Sequence, residues 1–512
     1  MHKVSSKIKR GQEAEKMSQN YFEVVVVGAG ASGIGAALTA AQQNLSVLLL
    51  EKGNRPGGAG MFGAQGLFAV ESQQQQQSGE SYTVKDAFQE LVDYSHHRVN
   101  ESLVKKIVAE SAATITWLNE NGLATELVSN TQEAHQKHPR VYHQYIDKFN
   151  GFARLLARFE ALGGVLLTET TGKEIVTDDA GRVTGIQILE KQGRSRLINC
   201  RAVIAADGGF VGNQKMVAST LETDSREFYS MGERKATGDG LRMLAQIGAD
   251  TRKKGAFENH AASVVSQVDP KWRKPSIFTL TNLPLLWVDR AGKRFTNEGV
   301  VYDFALWGNT TFAAGGCYYY LFDEAFVAKI TKTALPLTDS FERTFKNLAH
   351  KEVTHQIGPF AQLKEDLQEA QANQVAFVGE TLSVLADKLG MSATELVKTV
   401  TEYNRFVKNK ADLQFYKDPA YLQFDLQKGP FYAVKATTTS LGTIGGVRVN
   451  EKMEVLGMDG LALKGAYATG NNASGMYDTS YPTLEGVSCA FAWNSGRIAG
   501  QAVGNYLQNS GH

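Results

Sequence analysis

A chain of 512 residues exceeds what one hydrophobic core supports, so two or three domains are expected. Its make-up, 43% hydrophobic and 21% charged, is that of an ordinary globular protein. A net charge of +1 supplies no field for nucleic acid or an anionic membrane, and both partners are set aside.

Fifty glycines against ten prolines suit an α/β chain with many tight, ligand-approaching loops. Cys200, Cys317 and Cys489 are far apart and fit no C-x-x-C pattern. That spacing disfavours haem attachment, iron–sulfur ligation and a disulfide framework. Buried free thiols in a reducing, cytoplasmic setting are the expectation, and no metal site is expected. No window holds 18 consecutive apolar residues, so no membrane span is expected.

Residues 1–20 are polar and lack an apolar signal core, and read as a flexible extension in which Met17 offers a second start. The first ordered element is FEVVVVGAG, residues 22–30, a strand buried on both faces as in a parallel sheet. An alanine-rich helix follows, then a second buried strand, LSVLLLEK, ending at Glu51. Residues 54–66 read as a long glycine-rich loop, and QQQQQSGES, residues 73–81, as a mobile low-complexity loop. Residues 84–122 read helical, and GKEIVTDDAGRVTGIQILE reads as strand, turn, strand. RAVIAADGGF (201–210) is another buried strand running into glycines, and ATGDGLRMLAQIGAD (236–250) a glycine turn opening a helix.

From about residue 255 to 440 the texture turns more aromatic, with mixed helices at 360–390 and a polar helix at 393–410. KRFTNE within it reads as a surface turn leaving a strand. The glycine-rich texture returns at GTIGGVRVN (442–450) and GAYATGNN (465–472), and a helix closes the chain. The division expected is a nucleotide-binding domain in two segments, 21–254 and 441–512, with 255–440 inserted between them.

Gly28, Gly30 and Gly33 fill the positions of a G-x-G-x-x-G fingerprint, with Ala31 and Ser32 between the last two. The first glycine permits a tight turn, the second lets backbone approach a pyrophosphate, and the third lets helix and strand pack. Glu51 ends the next strand, where a carboxylate accepts from a ribose hydroxyl, with Lys52 beside it. FAD and NAD both satisfy this unit. Further glycine loops choose FAD, because a bound flavin needs more protein contact. They add Gly57, Gly58, Ala59, Gly60, Ala206, Gly208, Thr237, Asp239, Gly470 and Asn471, and then Val487 and Ser488 at the closing helix.

With VVVVGAGASGIGAALTAAQQNLSVLLLEK, RAVIAADGGF, ATGDGLRMLAQIGA, WVDRAGKRFTNE and GAYATGNNASGMY in family order, the chain resembles the fumarate reductase and succinate dehydrogenase flavoproteins, in their soluble single-chain branch. The resemblance implies an α/β, Rossmann-like FAD domain in two segments, with an inserted α+β cap over the isoalloxazine. It also implies a substrate site, from which this chain departs. Tyr302 stands where the family keeps its acid arginine, and Asp303 follows it as a group to orient the phenol. Phe278 and Thr281 stand at the proton relay, Leu441 and Gly442 at a histidine pair, and residues 478–486 at a substrate arginine. His260 matches a family substrate histidine. DTSYPTLEGVSCAFAWNSGRIAG is similar to the C-terminal segment of 3-ketosteroid dehydrogenases, whose tyrosine before proline corresponds to Tyr481.

Tyr302, Tyr481, Tyr477, Phe278 and Trp307 then imply a pocket for a flatter, less charged molecule than fumarate. The expected activity is FAD-dependent reduction of the C=C bond of an α,β-unsaturated carbonyl or carboxylate compound. Tyr302, Tyr481 and His260 are its candidate catalytic residues. Two alternatives stand beside it: the reverse desaturation of a ketosteroid-like ring, and an electron-transfer subunit without its own substrate. The loop at 57–66 lacks the histidine that attaches flavin in membrane-bound relatives, so the FAD is expected to be non-covalent. No second dinucleotide fingerprint follows a strand, so electrons are expected from NADH directly, from free reduced flavin or from a separate reductase.

Overall fold

The computed structural model describes residues 19–220, 227–252, 255–478 and 480–509; the extension expected at 1–20 falls outside these except for its last two residues. The four valines form strand β1 (Val24–Val27), buried throughout. Helix α1 (Ala31–Ala41) follows, then β2 (Val47–Leu50), β3 (Val165–Leu167) and β4 (Ala202–Ala205). β1 pairs in parallel with β2 on one side and β4 on the other, which is why its apolar run is unbroken. Helix α2 spans Asp239–Gln246, strand β5 Phe257–Ser263 and helix α3 Phe304–Ala313. Strand β6 spans Phe431–Thr443, β7 Ala462–Ala468, and the closing helix α4 Val487–Asn509.

The first sheet runs Glu454–Leu456, β7, β4, β1, β2, β3, antiparallel only at the first pair. α1 lies on it and is wholly buried beneath α4. Small residues let those helices touch backbone to backbone: a Cβ on Gly496 would lie 2.2 Å from the Ser32 carbonyl oxygen. The second sheet is organised by β6. One half pairs with Cys317–Asp323 and Ala376–Gly379, the other with Phe228–Ser230 and β5. One hydrophobic core draws on residues 22–257 and 444–507; two others draw only on residues between 261 and 436.

Several local expectations are corrected. QQQQQ is a helix, Gln73–Gln77, not a mobile loop. Ser72 and Gln75 form a reciprocal capping box, and the buried Gln75 amide donates to the Arg140 carbonyl at 2.7 Å. The glycine-rich stretch 54–66 contains a helical turn, Gly58–Phe62. Residues 84–122 are three helices, Val84–Tyr94, Glu101–Ala109 and Ser111–Glu120. Cys489 is half-buried, while Cys200 and Cys317 are buried, and all three are free.

KRFTNE is not a surface turn. Arg294 is buried, donating to Glu298 through Nε and Nη2, both at 2.7 Å. Asp412 lies 2.7 Å from the same guanidinium, and Lys417 is 3.2 Å from Glu298. Tyr403 and Phe415 lie against the guanidinium at 5.5 and 5.2 Å. The planar, weakly hydrated guanidinium suits such a dry setting, and the paired carboxylates compensate its charge.

Candidate active site

Four parallel strands, β7, β4, β1 and β2, end side by side, and the loops leaving their carboxyl ends carry most of the residues expected to hold the flavin. Ligands of open α/β sheets bind at that edge. Gly28 has φ 104°, and a Cβ there would lie 2.5 Å from the Ala206 carbonyl oxygen. A Cβ on Gly33 would lie 1.7 Å from the Gly28 carbonyl oxygen. Gly30 differs: a Cβ there would meet nothing within 4 Å. That open space fronts the N-terminus of α1, whose Ala31-Ser32-Gly33 turn has no side-chain cap and no acidic residue. An uncapped helix N-terminus facing room beside a glycine is the cradle a pyrophosphate requires.

The other loops close on this cradle. Gly57 forms a bridge with Gly30, and Gly60 packs on Ala31, where a Cβ would meet its neighbour's at 2.6 Å; Gly58 and Ala59 complete that turn. Glu51 is buried at the end of β2, accepting from Gly53 N–H at 2.7 Å and Ala29 N–H at 3.3 Å, with Lys235 Nζ at 3.1 Å. Lys52 Nζ reaches Asp239 at 2.9 Å and Thr237 at 2.5 Å, tying β2 to the start of α2. Gly208 has φ 84° in the loop after Ala206. Gly470 N–H donates to Ser495 Oγ at 2.9 Å, and Asn471 stands beside Gly442. Asn472 was not singled out from sequence: its Oδ1 accepts from Gly209 N–H at 2.8 Å while its amide donates to Asp207.

Val487 and Ser488 open α4, and there the cradle meets a hydroxyl-rich group. Ser488 Oγ donates to Glu258 Oε1 at 2.6 Å, and Tyr481 Oη donates to Ser488 Oγ at 3.4 Å. Burial pushes the Glu258 carboxyl above its ordinary value, against the hydrogen bonds of Ser488 and Tyr481. Burial, then the Glu258 charge, pushes the Tyr477 and Tyr481 phenols well up. Tyr477 Oη is buried with no partner among the described residues.

His260 lies on β5, with its ring centroid 4.8 Å from Phe304 and 6.4 Å from Phe341. Burial lowers it to about 4, so it is neutral near pH 7, and its Nδ1 has no partner among the described residues. Phe341 lies 5.2 Å from Phe278, which lines an open cleft of about 520 Å³ with Tyr229, Met231, Trp272, Arg273 and Lys274. A row of aromatic rings thus runs from the cleft to His260. Lys274 is paired with Asp366 and Glu369, and Arg273 donates to Tyr229 Oη at 2.9 Å.

Tyr302 is buried with its ring 5.0 Å from Tyr421, and burial pushes its phenol up. Phe304, two residues on, makes the contact with His260. Thr281, at the position of a family relay residue, donates to its own helix at the Ile277 carbonyl. Two sequence expectations are corrected. Trp307 is a core residue, donating to Tyr318 Oη at 3.0 Å. Asp303 does not orient Tyr302: it caps α3 through Leu306 N–H at 2.9 Å and pairs with His135.

His135 was missed from sequence. Its Nε2 meets Asp303 Oδ2 at 2.8 Å and its Nδ1 meets Glu485 Oε1 at 2.9 Å. Burial opposes the charged ring, but the hydrogen bonds and charges of Asp303 and Glu485 outweigh it and raise it to about 10. Glu485 also accepts from Thr131 N–H at 2.8 Å and Gln132 N–H at 2.9 Å. This one imidazolium joins the loop before α4, the start of α3 and the loop at residues 131–135. Its three members are scattered along the chain, so no local pattern announces them.

Among the described residues, no cluster of His, Cys, Asp or Glu could hold a metal, and no helix is long and apolar enough to cross a membrane. Residues 23–488 match the family described as FAD binding domain, and the chain belongs to that family. It is an FAD-dependent oxidoreductase that acts on carbon–carbon double bonds. It is 31% identical over 494 residues to the vinyl phenol reductase of Lactiplantibacillus plantarum, with 95% of this chain and 97% of the relative covered. Its fold is that of the 3-ketosteroid Δ1-dehydrogenase of Sterolibacterium denitrificans (TM-score 0.75, 19% identity, 95% and 100% covered). It is also that of a flavocytochrome c3 fumarate reductase in its open conformation (TM-score 0.66, 22% identity, 97% and 81% covered).

Gly30→Val should leave the protein folded but free of FAD, because a Cβ there meets no protein atom within 4 Å and a side chain would occupy the room a pyrophosphate would need. Gly33→Ala should instead lower the melting temperature, because its Cβ collides with backbone. Flavin absorbance and thermal unfolding of both variants check this. For His135, the folded value of about 10 lies above the 6.5 of the free ring. Its stabilisation is therefore complete below pH 6.5 and fades as pH rises toward 10. The melting-temperature loss in His135→Gln should be largest near pH 6 and shrink steadily by about pH 9.

Proposed function

We propose that this enzyme reduces the C=C bond of an aromatic substrate that is neutral or phenolic, such as a hydroxystyrene or an aryl enone. One observation carries the reading. The groups acting on Tyr302, Tyr477, Tyr481 and Glu258 are tyrosines, carboxyls, a serine and a thiol, and His260 is neutral. A dicarboxylate brought among them would be left without cations, at high cost. Hydroxyl donors beside aromatic rings suit a flat molecule with one oxygen. The similarity to a vinyl phenol reductase supports the same substrate class.

Reduced FAD, when bound, supplies a hydride from its N5. The chain's task is to hold the substrate and bring a proton to the other carbon. We assign Tyr302 and Tyr481 as the hydroxyls that act on substrate, one on carbon and one on oxygen, and His260 as a neutral wall of the pocket. Residues 255–440 would serve as the cap that excludes water. The FAD would be non-covalent, since GGAGMFGAQG holds no histidine. The reductant would be external, as NADH, free reduced flavin or a separate reductase, in a cytoplasmic setting. Tyr481-Pro482, as in the dehydrogenase-like segment, supports the reverse desaturation as a second reading.

Anaerobic mixing of the photoreduced enzyme with 4-hydroxystyrene, an aryl enone, a hydroxycinnamate and fumarate tests the proposal. Flavin reoxidation should be fastest with a neutral or phenolic aromatic compound and slow or absent with fumarate. Fumarate matching the best aromatic compound would overturn it. Tyr302→Phe should keep its FAD and slow reoxidation by roughly 10²–10³-fold, the loss expected when a hydrogen-bond donor to the substrate oxygen is removed. An unchanged rate would return Tyr302 to packing against Tyr421.

A further inference from the structure

We infer that Glu258, Ser488 and Tyr481 form a proton relay in which a neutral Glu258 carboxyl is the reservoir and the Tyr481 phenol protonates the substrate. The inference rests on the reductase reading and adds the origin of its proton. Glu258 is 7% exposed on β5, and its Oε1 lies 2.6 Å from Ser488 Oγ. A hydroxyl both donates and accepts, so a protonated Glu258 can donate to Ser488 Oγ across the same contact. Ser488 Oγ is in turn 3.4 Å from Tyr481 Oη, which completes a path from carboxyl to phenol. The other carboxyl oxygen faces Gly442, where a Cβ would lie 2.9 Å from it and 2.6 Å from Asn471 Nδ2. Glycine there leaves room for the carboxyl.

The surroundings favour the neutral acid. The titratable groups around Glu258 are Tyr477 and Tyr481 from the loop before α4, Cys489 from α4, and the neutral His260 on its own strand. No lysine, arginine or histidine forms an ion pair with it among the described residues. An ionised carboxylate buried without a cation is costly, and holding the proton avoids that cost. Burial raises the carboxyl in the same sense. Burial disfavours a phenolate at Tyr481, so the phenol must be refilled as it donates.

The step balances. Reduced FAD, held by the turn at residues 28–33 and its neighbouring loops, would supply a hydride to one carbon of the double bond. The Tyr481 O–H bond breaks as its proton forms the C–H bond at the other carbon. The Ser488 proton passes to the Tyr481 oxygen, and the Glu258 proton passes to Ser488. Tyr481 and Ser488 end unchanged, and Glu258 ends as a carboxylate that regains a proton from water. Tyr481 is the catalytic residue of this set. Glu258 and Ser488 act through it.

The test combines infrared spectroscopy of the oxidised holoenzyme with stopped-flow reoxidation of the reduced one across pH. The difference between wild type and Glu258→Gln should show the carbonyl band of a protonated carboxylic acid near neutral pH, because Asp207 and Asp339, which burial also raises, cancel in it, and the variant should keep its FAD and melting temperature. Wild-type reoxidation by 4-hydroxystyrene should fall with rising pH over the range where that band disappears. Glu258→Gln should be slower by roughly 10²-fold and flat with pH. Ser488→Ala should be slow with the band retained, and Ser488→Thr should restore the rate. A difference spectrum without the band, or a Glu258→Gln variant with wild-type rate and pH profile, overturns the relay. If no unsaturated compound reoxidises wild type, the reductase reading fails, and the band still reports on Glu258 alone.

Discussion

The contact between Gly33 and the Gly28 carbonyl is the constraint on which the molecule is built. A single methyl group there would sit 1.7 Å from an oxygen, so α1 can leave β1 only along one tight path. That path presses α1 onto the sheet and lets α4 lie over it, with the Gly496–Ser32 contact as the matching close approach. It also leaves the N-terminus of α1 uncapped and pointed toward the space kept clear beside Gly30. The neighbouring strands β4 and β7 end at the same edge, so their loops arrive there without further design. Flavin binding is therefore a consequence of how the first sheet packs.

A second joint couples that scaffold to the aromatic region. His135 carries a charge between Asp303 and Glu485; Asp303 also accepts from Leu306 N–H, and Glu485 from the N–H groups of Thr131 and Gln132. Asn309, on the helix that Asp303 caps, donates to the Tyr481 carbonyl at 3.0 Å, as does Tyr94 Oη. The loop bearing Tyr481 is thus positioned from three directions. Its hydroxyl is thereby brought to Ser488, which in turn contacts Glu258. A reductase that must bring a proton to one face of a double bond needs such fixed donors.

How much of this is legible in sequence depends on the distance along the chain over which each interaction acts. The β1–α1–β2 unit was readable because its glycines, valines and terminal Glu51 are contiguous and each has one physical use. Glu258 was passed over because its partner Ser488 is 230 residues away, and nothing local marks a carboxyl in FENHAA as one that will be buried. His135 was missed for the same reason. Arg294 and Trp307 were misread in opposite senses. A charged turn became a buried ion cluster because Glu298 and Asp412 compensate it, and a pocket aromatic became core because Tyr318 satisfies its indole. The glutamine run shows that low complexity alone does not mean mobility when a serine cap and a buried amide are available.

The central claim is that the fumarate-reductase fold here carries a site of hydroxyls and aromatic rings in place of a cationic clamp. Binding to the oxidised holoenzyme tests it without any turnover. Titration with 4-ethylphenol, the saturated counterpart of a hydroxystyrene, and with succinate can be followed by the perturbation of flavin absorbance. A saturable shift with the phenol and none with succinate is the result this account predicts. Saturable binding of succinate with no response to the phenol would contradict it.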